Sequence, residues 1–184
     1  MVNSARLFPN YFRMASKRLS SCKHIIKECS TDPPKHVLHD IYYLSGYILE
    51  GFCVYSIYKL YGWDENTAID DYKGMNPREL NDFFSKTHLR FNNEKKNGQL
   101  YSIQGHNFQH YVNLLKHRPE FRTLPFFSTR DLDSNIKYLV DKWKPEIRYS
   151  YEDISLSVNN LNLMLSFCSK VQSVIINQIG YDYD

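Results

Sequence analysis

The sequence is poor in the residues that make tight turns, since only 7 of its 184 residues are glycine and 7 are proline. An all-β chain of this length would need many such turns, so the composition disfavours that fold class. Long apolar runs are missing too, because no stretch approaches the roughly 18 consecutive apolar residues of a membrane span. The longest candidate, residues 41–61, is interrupted by Ser45, Gly46, Glu50, Ser56 and Lys59. We therefore expect no membrane partner.

Cysteine is also scarce, and its spacing disfavours a zinc site. The four cysteines contain no Cys-x-x-Cys pair followed by a second pair; they are Cys22, Cys29, Cys53 and Cys168. His106 and His110 have the i, i+4 spacing of a metal-binding pair, but glutamate does not follow His106 and the sequence places no third ligand. We therefore expect no metal and no cofactor. No apolar segment of the secretory kind follows the basic N-terminal residues, so we expect reduced, buried thiols in a cytoplasmic protein.

The net charge is small, with 23 Lys and Arg against 20 Asp and Glu, but the charges are unevenly distributed. Residues 1–31 hold six basic side chains and one acid, so the rest of the chain is slightly acidic. Opposite the apolar stripe of the first predicted helix runs a basic face that includes Arg13, Lys17, His24 and Lys27. Such a face is typical of a nucleic-acid footprint and also of a solvated helix surface, and we favour the second interpretation.

Apolar residues recur at helical spacing in five segments, which predicts an all-α fold. We expect a single domain, residues 1–184, built as an antiparallel bundle of about five core helices. The predicted helices span about 9–29, 34–61, 105–117, 129–143 and 151–178. Residues 62–100 are interpreted as an insertion between core helices, because they contain acidic and Asn-rich loop sequence and one short helix from about 76 to 87.

The second predicted helix is apolar on nearly all sides, which is typical of a helix surrounded by other helices. A single polar stripe runs along it, formed by His39, Tyr43, Gly46 and Glu50 at spacings of four and three residues. A buried carboxylate is costly unless a charge or a hydrogen bond compensates it. Glu50 therefore predicts a partner elsewhere in the chain.

The run Tyr42–Glu50 resembles the second-helix signature of HEPN domains (higher eukaryotes and prokaryotes nucleotide-binding), in which a small residue stands four positions before a glutamate. Here Gly46 and Glu50 have that spacing, and Lys59 falls near where such domains often place a basic residue. The resemblance implies a helical bundle that assembles as a homodimer.

Two downstream segments are similar to HEPN motifs as well. Residues 105–108, Gly-His-Asn-Phe, resemble the short His-Asp-Leu motif that opens the third helix, with Asn107 in place of Asp. Residues 143–149, Trp-Lys-Pro-Glu-Ile-Arg-Tyr, resemble the Arg-Tyr segment before the final helix. The resemblance covers about residues 10–61 and 100–178, and it does not extend to the predicted insertion.

The family contains RNases and non-catalytic members. The resemblance implies that an RNase would carry an Arg-x(4–6)-His motif in a cleft at the two-fold interface, where a histidine acts on the ribose hydroxyl and a cation on the phosphate. The one formal match is Arg18 to His24, which lies in the first helix although the family places the motif in the later half, and chance predicts about one match. Arg148, in the expected region, has no histidine behind it. We interpret the catalytic motif as absent.

The predicted site is therefore a polar network rather than a catalytic motif. Glu50, His106 and Arg148 are expected to form a buried charge network that fixes the helix register. Further members are His110, Tyr149 and Lys59. His106 is interpreted as a cap or as the partner of Glu50 in preference to a catalytic base. The catalytic candidates, for the case that the protein is an enzyme, are His106, Arg148, His24 and Arg18.

Three functions are compatible with these features. The first is a non-catalytic HEPN-like module that binds RNA, a nucleotide or a partner protein, in a prokaryotic defence or toxin–antitoxin system by analogy with the family. The second is a metal-independent HEPN RNase with a non-standard active site. The third is a structural or regulatory protein whose exposed aromatic residues bind another protein. We favour the first.

Overall fold

The computed structural model describes residues 7–29, 33–60, 62–66, 106, 108–116, 118–127, 132–149 and 154–181. Within these ranges the protein has no β-strand and five α-helices, which are α1 (Pro9–Glu28), α2 (Lys35–Leu60), α3 (Phe108–Leu115), α4 (Ser134–Lys142) and α5 (Val158–Val174). Three short 3-10 helices span Pro119–Phe121, Pro125–Phe127 and Pro145–Tyr149, and α5 continues as a π-helix over Ile175–Gly180. The predicted all-α helical bundle is confirmed.

The first helix, α1, forms because one stripe of residues at helical spacing can be buried against the bundle. The buried residues are Phe12, Ala15, Leu19 and Cys22. Pro9 stands in the first turn, where its missing N–H has no helical partner to lose. The residues of the predicted basic face are all exposed on the opposite side, and they are Arg13, Lys17, His24 and Lys27.

Helix α2 is the central element of the bundle, as its composition predicts. Every residue from Gly51 to Tyr58 is buried, and α2 packs against α1, α3 and α5. Two buried hydroxyl groups are satisfied within the helix, since Ser45 Oγ and Ser56 Oγ each donate to a backbone carbonyl of the preceding turn at 2.7 Å. The hydroxyl groups of Ser45 and Ser56 are therefore occupied within α2 itself.

Contacts between side chains show that α1 and α2 run antiparallel. Phe12, near the start of α1, packs on Phe52 with 5.4 Å between ring centroids. Farther along α1, Arg18 lies over Tyr47, which precedes Phe52 on α2. This pairing places the middle of α1 beside the middle of α2, where Glu50 is located.

The third helix begins later than predicted. Phe108 is its first residue, and His106 is not helical because its φ of 63° lies outside the right-handed helical region. The prediction of a start at 105 or 106 was therefore wrong. The inward-facing residues of the helix are as predicted, since Phe108, Tyr111 and Leu115 are buried.

The fourth and fifth helices also begin later than the apolar spacing indicates. Asp133 caps α4 and Ser157 caps α5, each accepting a backbone N–H of the first turn through its side chain. The apolar spacing includes Leu132 and Ile154 in the two predicted helices, but both residues lie before these caps and are half-buried in non-helical backbone. The predicted starts at 129 and 151 were wrong, because half-buried residues just before a helix cap continue the apolar spacing without being helical.

Residues 67–105 lie outside the described part of the chain. The predicted short helix at 76–87 and nearly all of the predicted insertion at 62–100 fall within them. None of the described helices is both long enough and apolar enough to cross a bilayer.

The four cysteines are free thiols, and three of them are buried, namely Cys22, Cys53 and Cys168. Burial raises the pKa of Cys22 to about 11 and that of Cys168 to about 12. Such thiols stay protonated near neutral pH and pack as small apolar side chains.

Candidate functional site

Glu50 has the partner that its burial predicts. Its Oε2 atom lies 2.7 Å from Nδ1 of His106. His106 stands two residues before the first residue of α3. The Glu50 side chain is only 12% exposed, whereas that of His106 is 42% exposed. The pair therefore connects the interior of the bundle to its surface, with the carboxylate inside and the imidazole at the edge.

The protonation of Glu50 is set by two opposing effects. Burial, the larger effect, raises the pKa of the carboxyl group because it disfavours the charged form. The hydrogen bond and charge of His106, and the charge of Arg18, lower the pKa and only partly offset the burial. The carboxyl group therefore holds its proton to a higher pH than an exposed glutamate does.

Arg18 is the third charged group at this place. It is half-buried on α1, beside the buried stripe, and its Cζ atom lies 5.7 Å from the centroid of the Tyr47 ring. This distance is typical of a cation–π contact. Arg18, Tyr47, Glu50 and His106, here named the Glu50 cluster, thus come from α1, from α2 and from the segment before α3.

Aromatic side chains form one wall of the Glu50 cluster. Tyr47 meets both His106 and Trp143 edge to face, at 5.6 Å and 5.1 Å between ring centroids. The indole N–H of Trp143 donates to the backbone carbonyl of Tyr43 at 3.0 Å, which anchors this wall to α2. Burial is the main reason that the pKa of Tyr47 is raised to about 12, so its phenol stays neutral.

The backbone of His106 is in the left-handed conformation. Among the described residues it is the one non-glycine residue with a positive φ. Its backbone N–H donates to the hydroxyl oxygen of buried Tyr111 at 3.0 Å. A non-glycine residue adopts this conformation only where its surroundings hold it, and such residues are common at functional sites.

The structure does not bring Arg148, Tyr149 or Lys59 to Glu50. Arg148 and Tyr149 are exposed, and the guanidinium of Arg148 lies 5.7 Å from the centroid of the Tyr149 ring. The backbone here forms a 3-10 helix that buries Ile147 and turns its neighbours outward. Lys59 pairs with Glu65 at the end of α2. The side chain of His110 lies outside the described part.

The formal match of Arg18 to His24, two of the weak catalytic candidates, does not bring the two side chains together. Six residues of an α-helix turn through about 600°, so the two side chains point in different directions. His24 is exposed with Lys17 and Lys27, whereas Arg18 faces Tyr47. Arg18 therefore shares Tyr47 and Glu50 with His106, a combination that the sequence does not predict. The sequence contains one indication of this role, because Arg18 directly precedes Leu19 and so lies at the edge of the buried stripe of α1.

The Glu50 cluster has the chemistry of an anion site. A histidine held through one ring nitrogen presents the other in a fixed direction, and the N–H groups of arginine suit phosphate and carboxylate oxygens. Such a histidine can also transfer a proton. Among the described residues, no group of three or more His, Cys, Asp or Glu side chains is placed to hold a metal ion.

Comparisons of the chain with protein-family models, curated proteins and solved structures find no match. A proposal for the function therefore depends on the sequence and on the geometry of the described residues.

Proposed function

We propose that the protein is a HEPN-like helical-bundle module that binds RNA or a nucleotide through the Glu50 cluster, without cleaving it. The observation that carries the proposal is the convergence of Arg18 and His106, from two separate segments, on the buried carboxylate of Glu50. The resemblance of Tyr42–Glu50 to the HEPN signature points in the same direction, because the cluster contains the glutamate of that signature. A cytoplasmic homodimer acting in a prokaryotic defence or toxin–antitoxin system is the setting that the resemblance suggests.

The charges at the site favour a phosphate over other ligands. Arg18 supplies a permanent positive charge, and the imidazole of His106, held at Nδ1 by Glu50 over 2.7 Å, has a second ring nitrogen that can donate to an anion. Phosphate oxygens are the acceptors that arginine recognises best in nucleic acids. The neighbouring phenol of Tyr47 offers a half-buried ring beside the charges, which suits a nucleobase or ribose.

The basic face of α1 supports a polymeric ligand. Lys17 is exposed directly beside Arg18 in the sequence, and Lys27 continues the face two to three turns farther on. Arg13 is exposed at the other end and donates from Nε to the hydroxyl of Tyr181 at 3.0 Å. A row of cations of this kind binds a nucleic-acid backbone with an affinity that falls as salt rises.

Binding of RNA oligonucleotides and of ATP, measured by fluorescence anisotropy and calorimetry, tests the proposal. Arg18→Gln should weaken binding about ten- to a hundredfold, because it removes charge-assisted hydrogen bonds to phosphate. Arg122→Gln is the matched control, since Arg122 is an exposed arginine outside the cluster. If neither RNA nor ATP binds, or if the two variants bind equally well, the proposal is wrong.

A metal-independent RNase is the second candidate function. The observation that favours it is that the imidazole of His106, held by Glu50, and the guanidinium of Arg18 both lie against the ring of Tyr47, which offers a base and a phosphate-binding group at one site. Incubation of the protein with a mixture of RNAs in the presence of a chelator tests it. Cleavage that His106→Asn abolishes would establish this function, and intact RNA across a broad panel would exclude it.

A protein partner is favoured by one separate observation. Tyr149 is 83% exposed with Arg148 beside its ring, and tyrosine and arginine are enriched at the energetic centres of interfaces. Isolation of the protein from its host, with Tyr149→Ser as the comparison, would reveal a stoichiometric partner that the variant loses.

A further inference from the structure

The position of His106 is fixed at three points. The side chain of Glu50 contacts Nδ1 at 2.7 Å, and the hydroxyl of Tyr111 accepts the backbone N–H at 3.0 Å. The rings of Tyr47 and Trp143 meet the imidazole edge to face, at 5.6 Å and 6.0 Å between centroids. A left-handed residue that is held by this many contacts is typical of a functional site, in which the direction of the side chain matters.

The contact with Glu50 determines which nitrogen can meet a ligand. Nδ1 is occupied by the carboxylate, so Nε2, on the opposite edge of the ring, is the atom that the 42% exposed side chain presents. When Glu50 is ionised and His106 is neutral, the single ring proton lies on Nδ1 and Nε2 carries only a lone pair. In that state Nε2 repels a phosphate oxygen.

One additional proton on the Glu50–His106 pair turns the repulsion between Nε2 and a phosphate oxygen into attraction. The proton can form the imidazolium beside an ionised Glu50, or it can leave Glu50 neutral and donating to Nδ1 of His106. In both arrangements Nε2 carries a hydrogen and can donate it to a phosphate oxygen. The number of protons on the pair therefore decides whether the site accepts phosphate, whichever group holds the proton.

We propose that the Glu50 cluster binds a phosphate group through Nε2–H of His106, that this binding takes up one proton on the Glu50–His106 pair, and that Tyr111 is the positioning residue that aims the imidazole. The inference rests on the proposed function and specifies both the part of the ligand that is bound and its regulation by pH. Among the described residues, the ionisable groups that face the pair are Arg18 from α1, Tyr47 and Cys53 from α2, and Tyr111 from α3. Burial raises the pKa of the Cys53 thiol, so this group stays protonated. Arg18 stays charged and the two phenols stay neutral over the relevant pH range.

Tyr111 suits a positioning role because it is anchored and uncharged. Its side chain is fully buried, and its ring packs edge to face against Phe108 at 5.9 Å. Burial is the main reason that the pKa of its phenol is raised, so the hydroxyl that receives the His106 N–H stays neutral. Tyr111→Phe removes that acceptor and leaves the ring in place.

Calorimetric titration with a short oligouridylate that has hydroxyl ends tests the proposal, because the phosphodiesters and bases of this probe do not titrate between about pH 5 and pH 8. Titrations in buffers of different ionisation enthalpy give the number of protons taken up. We expect uptake of one proton at the upper end of this range, and an affinity that falls up to about tenfold per pH unit above the apparent pKa of the pair.

Two variants separate the parts of the proposal. His106→Asn suits the left-handed backbone and, combined with Glu50→Gln, leaves neither group of the pair to titrate, so the weaker binding of this double variant, through Arg18, should take up no proton. Tyr111→Phe should keep the proton uptake and weaken binding several-fold, and the Nε2 resonance of His106 should move in its NMR spectrum. Thermal unfolding of each variant shows whether the fold is retained.

The outcomes distinguish this inference from the proposed function. Oligouridylate binding that is equally strong at all pH values, or that tightens as pH rises, overturns the inference and leaves RNA binding in place. Proton uptake that persists in the double variant Glu50→Gln/His106→Asn also overturns it. A lack of binding at every pH contradicts the proposed function, and the inference falls with it. If Tyr111→Phe binds as the wild type does and leaves the Nε2 resonance in place, the positioning role of Tyr111 is wrong.

Discussion

Trp143 lies across Gly46 so closely that a β-carbon at position 46 would fall 1.9 Å from the indole Cε2 atom. The indole N–H also donates to the backbone carbonyl of Tyr43 at 3.0 Å, which ties the end of α4 to α2. The small residue four positions before Glu50 therefore has a packing reason. It allows the indole to lie flat against α2 and to support Tyr47, which forms the wall of the Glu50 cluster.

Gly46→Ala should lower the free energy of unfolding by about 1–3 kcal/mol, because the added methyl group forces the indole to move. Urea denaturation measures the change. The same substitution in a Trp143→Leu background should cost much less, since the obstructing ring is then absent. An equal cost in both backgrounds would show that the indole is not the cause.

Tyr42 is expected to contribute through one buried hydrogen bond. Its hydroxyl donates to the backbone carbonyl of Leu139 at 2.7 Å and joins α2 to α4. Tyr42→Phe should lower the free energy of unfolding by about 1–2 kcal/mol, because the carbonyl is left without this partner in a buried place. Tyr138→Phe is the matched control, since Tyr138 is 38% exposed, and its effect should stay within about 0.5 kcal/mol. Equal effects of the two substitutions would contradict this assignment.

The fold could be predicted because its signals are local. The apolar stripe of α1 and the all-round apolar character of α2 are properties of consecutive residues, and both helices end within two residues of the predicted positions. The partnership of Glu50 with His106 could be anticipated as well, because a buried carboxylate requires a compensating group. Neither inference needs the crossing geometry of the helices.

The remaining features depend on tertiary packing. Arg18 joins the cluster only because α1 crosses α2 at Tyr47, and no spacing in the sequence specifies that crossing. The sequence predicts Arg148, not Arg18, as the basic partner of Glu50. A family resemblance indicates the order of motifs along the chain, but it does not specify where a side chain on a 3-10 helix points. The left-handed backbone of His106 depends on Tyr111, whose hydroxyl reaches it only in the folded chain.

Tyr181 is expected to fasten the end of the π-helix to α1. Its ring lies 4.0 Å from that of Phe12 and 5.7 Å from that of Tyr55, measured between centroids. Tyr181→Ala should lower the free energy of unfolding by about 2 kcal/mol, because it removes two aromatic contacts with the core. Tyr181→Phe keeps the ring and loses the exposed bond from Arg13, so its effect should stay below about 1 kcal/mol. Thermal and chemical denaturation measure both variants, and a larger loss for Phe than for Ala would contradict the stacking role.

The raised pKa of Glu50 makes a prediction about stability whose sign follows from proton binding. Burial, the main cause, raises the pKa of this carboxyl group in the folded protein above its value in the unfolded chain. Between the two pKa values the folded state holds a proton that the unfolded state has lost, so stability falls as pH rises through this window. Below the unfolded value both states are protonated, and Glu50 contributes no pH dependence.

Glu50→Gln should therefore remove a decrease in stability that the wild type shows as pH rises from about 4 upward. Urea denaturation at a series of pH values measures the difference between the two proteins, which should shift in favour of the variant as pH increases. Glu28→Gln is the matched control, because Glu28 is an exposed carboxylate at the end of α1 and loses the same charge without relieving any burial. A difference between Glu50→Gln and wild type that stays constant with pH, or that shifts in favour of the wild type, would show that His106 and Arg18 compensate the buried carboxylate fully.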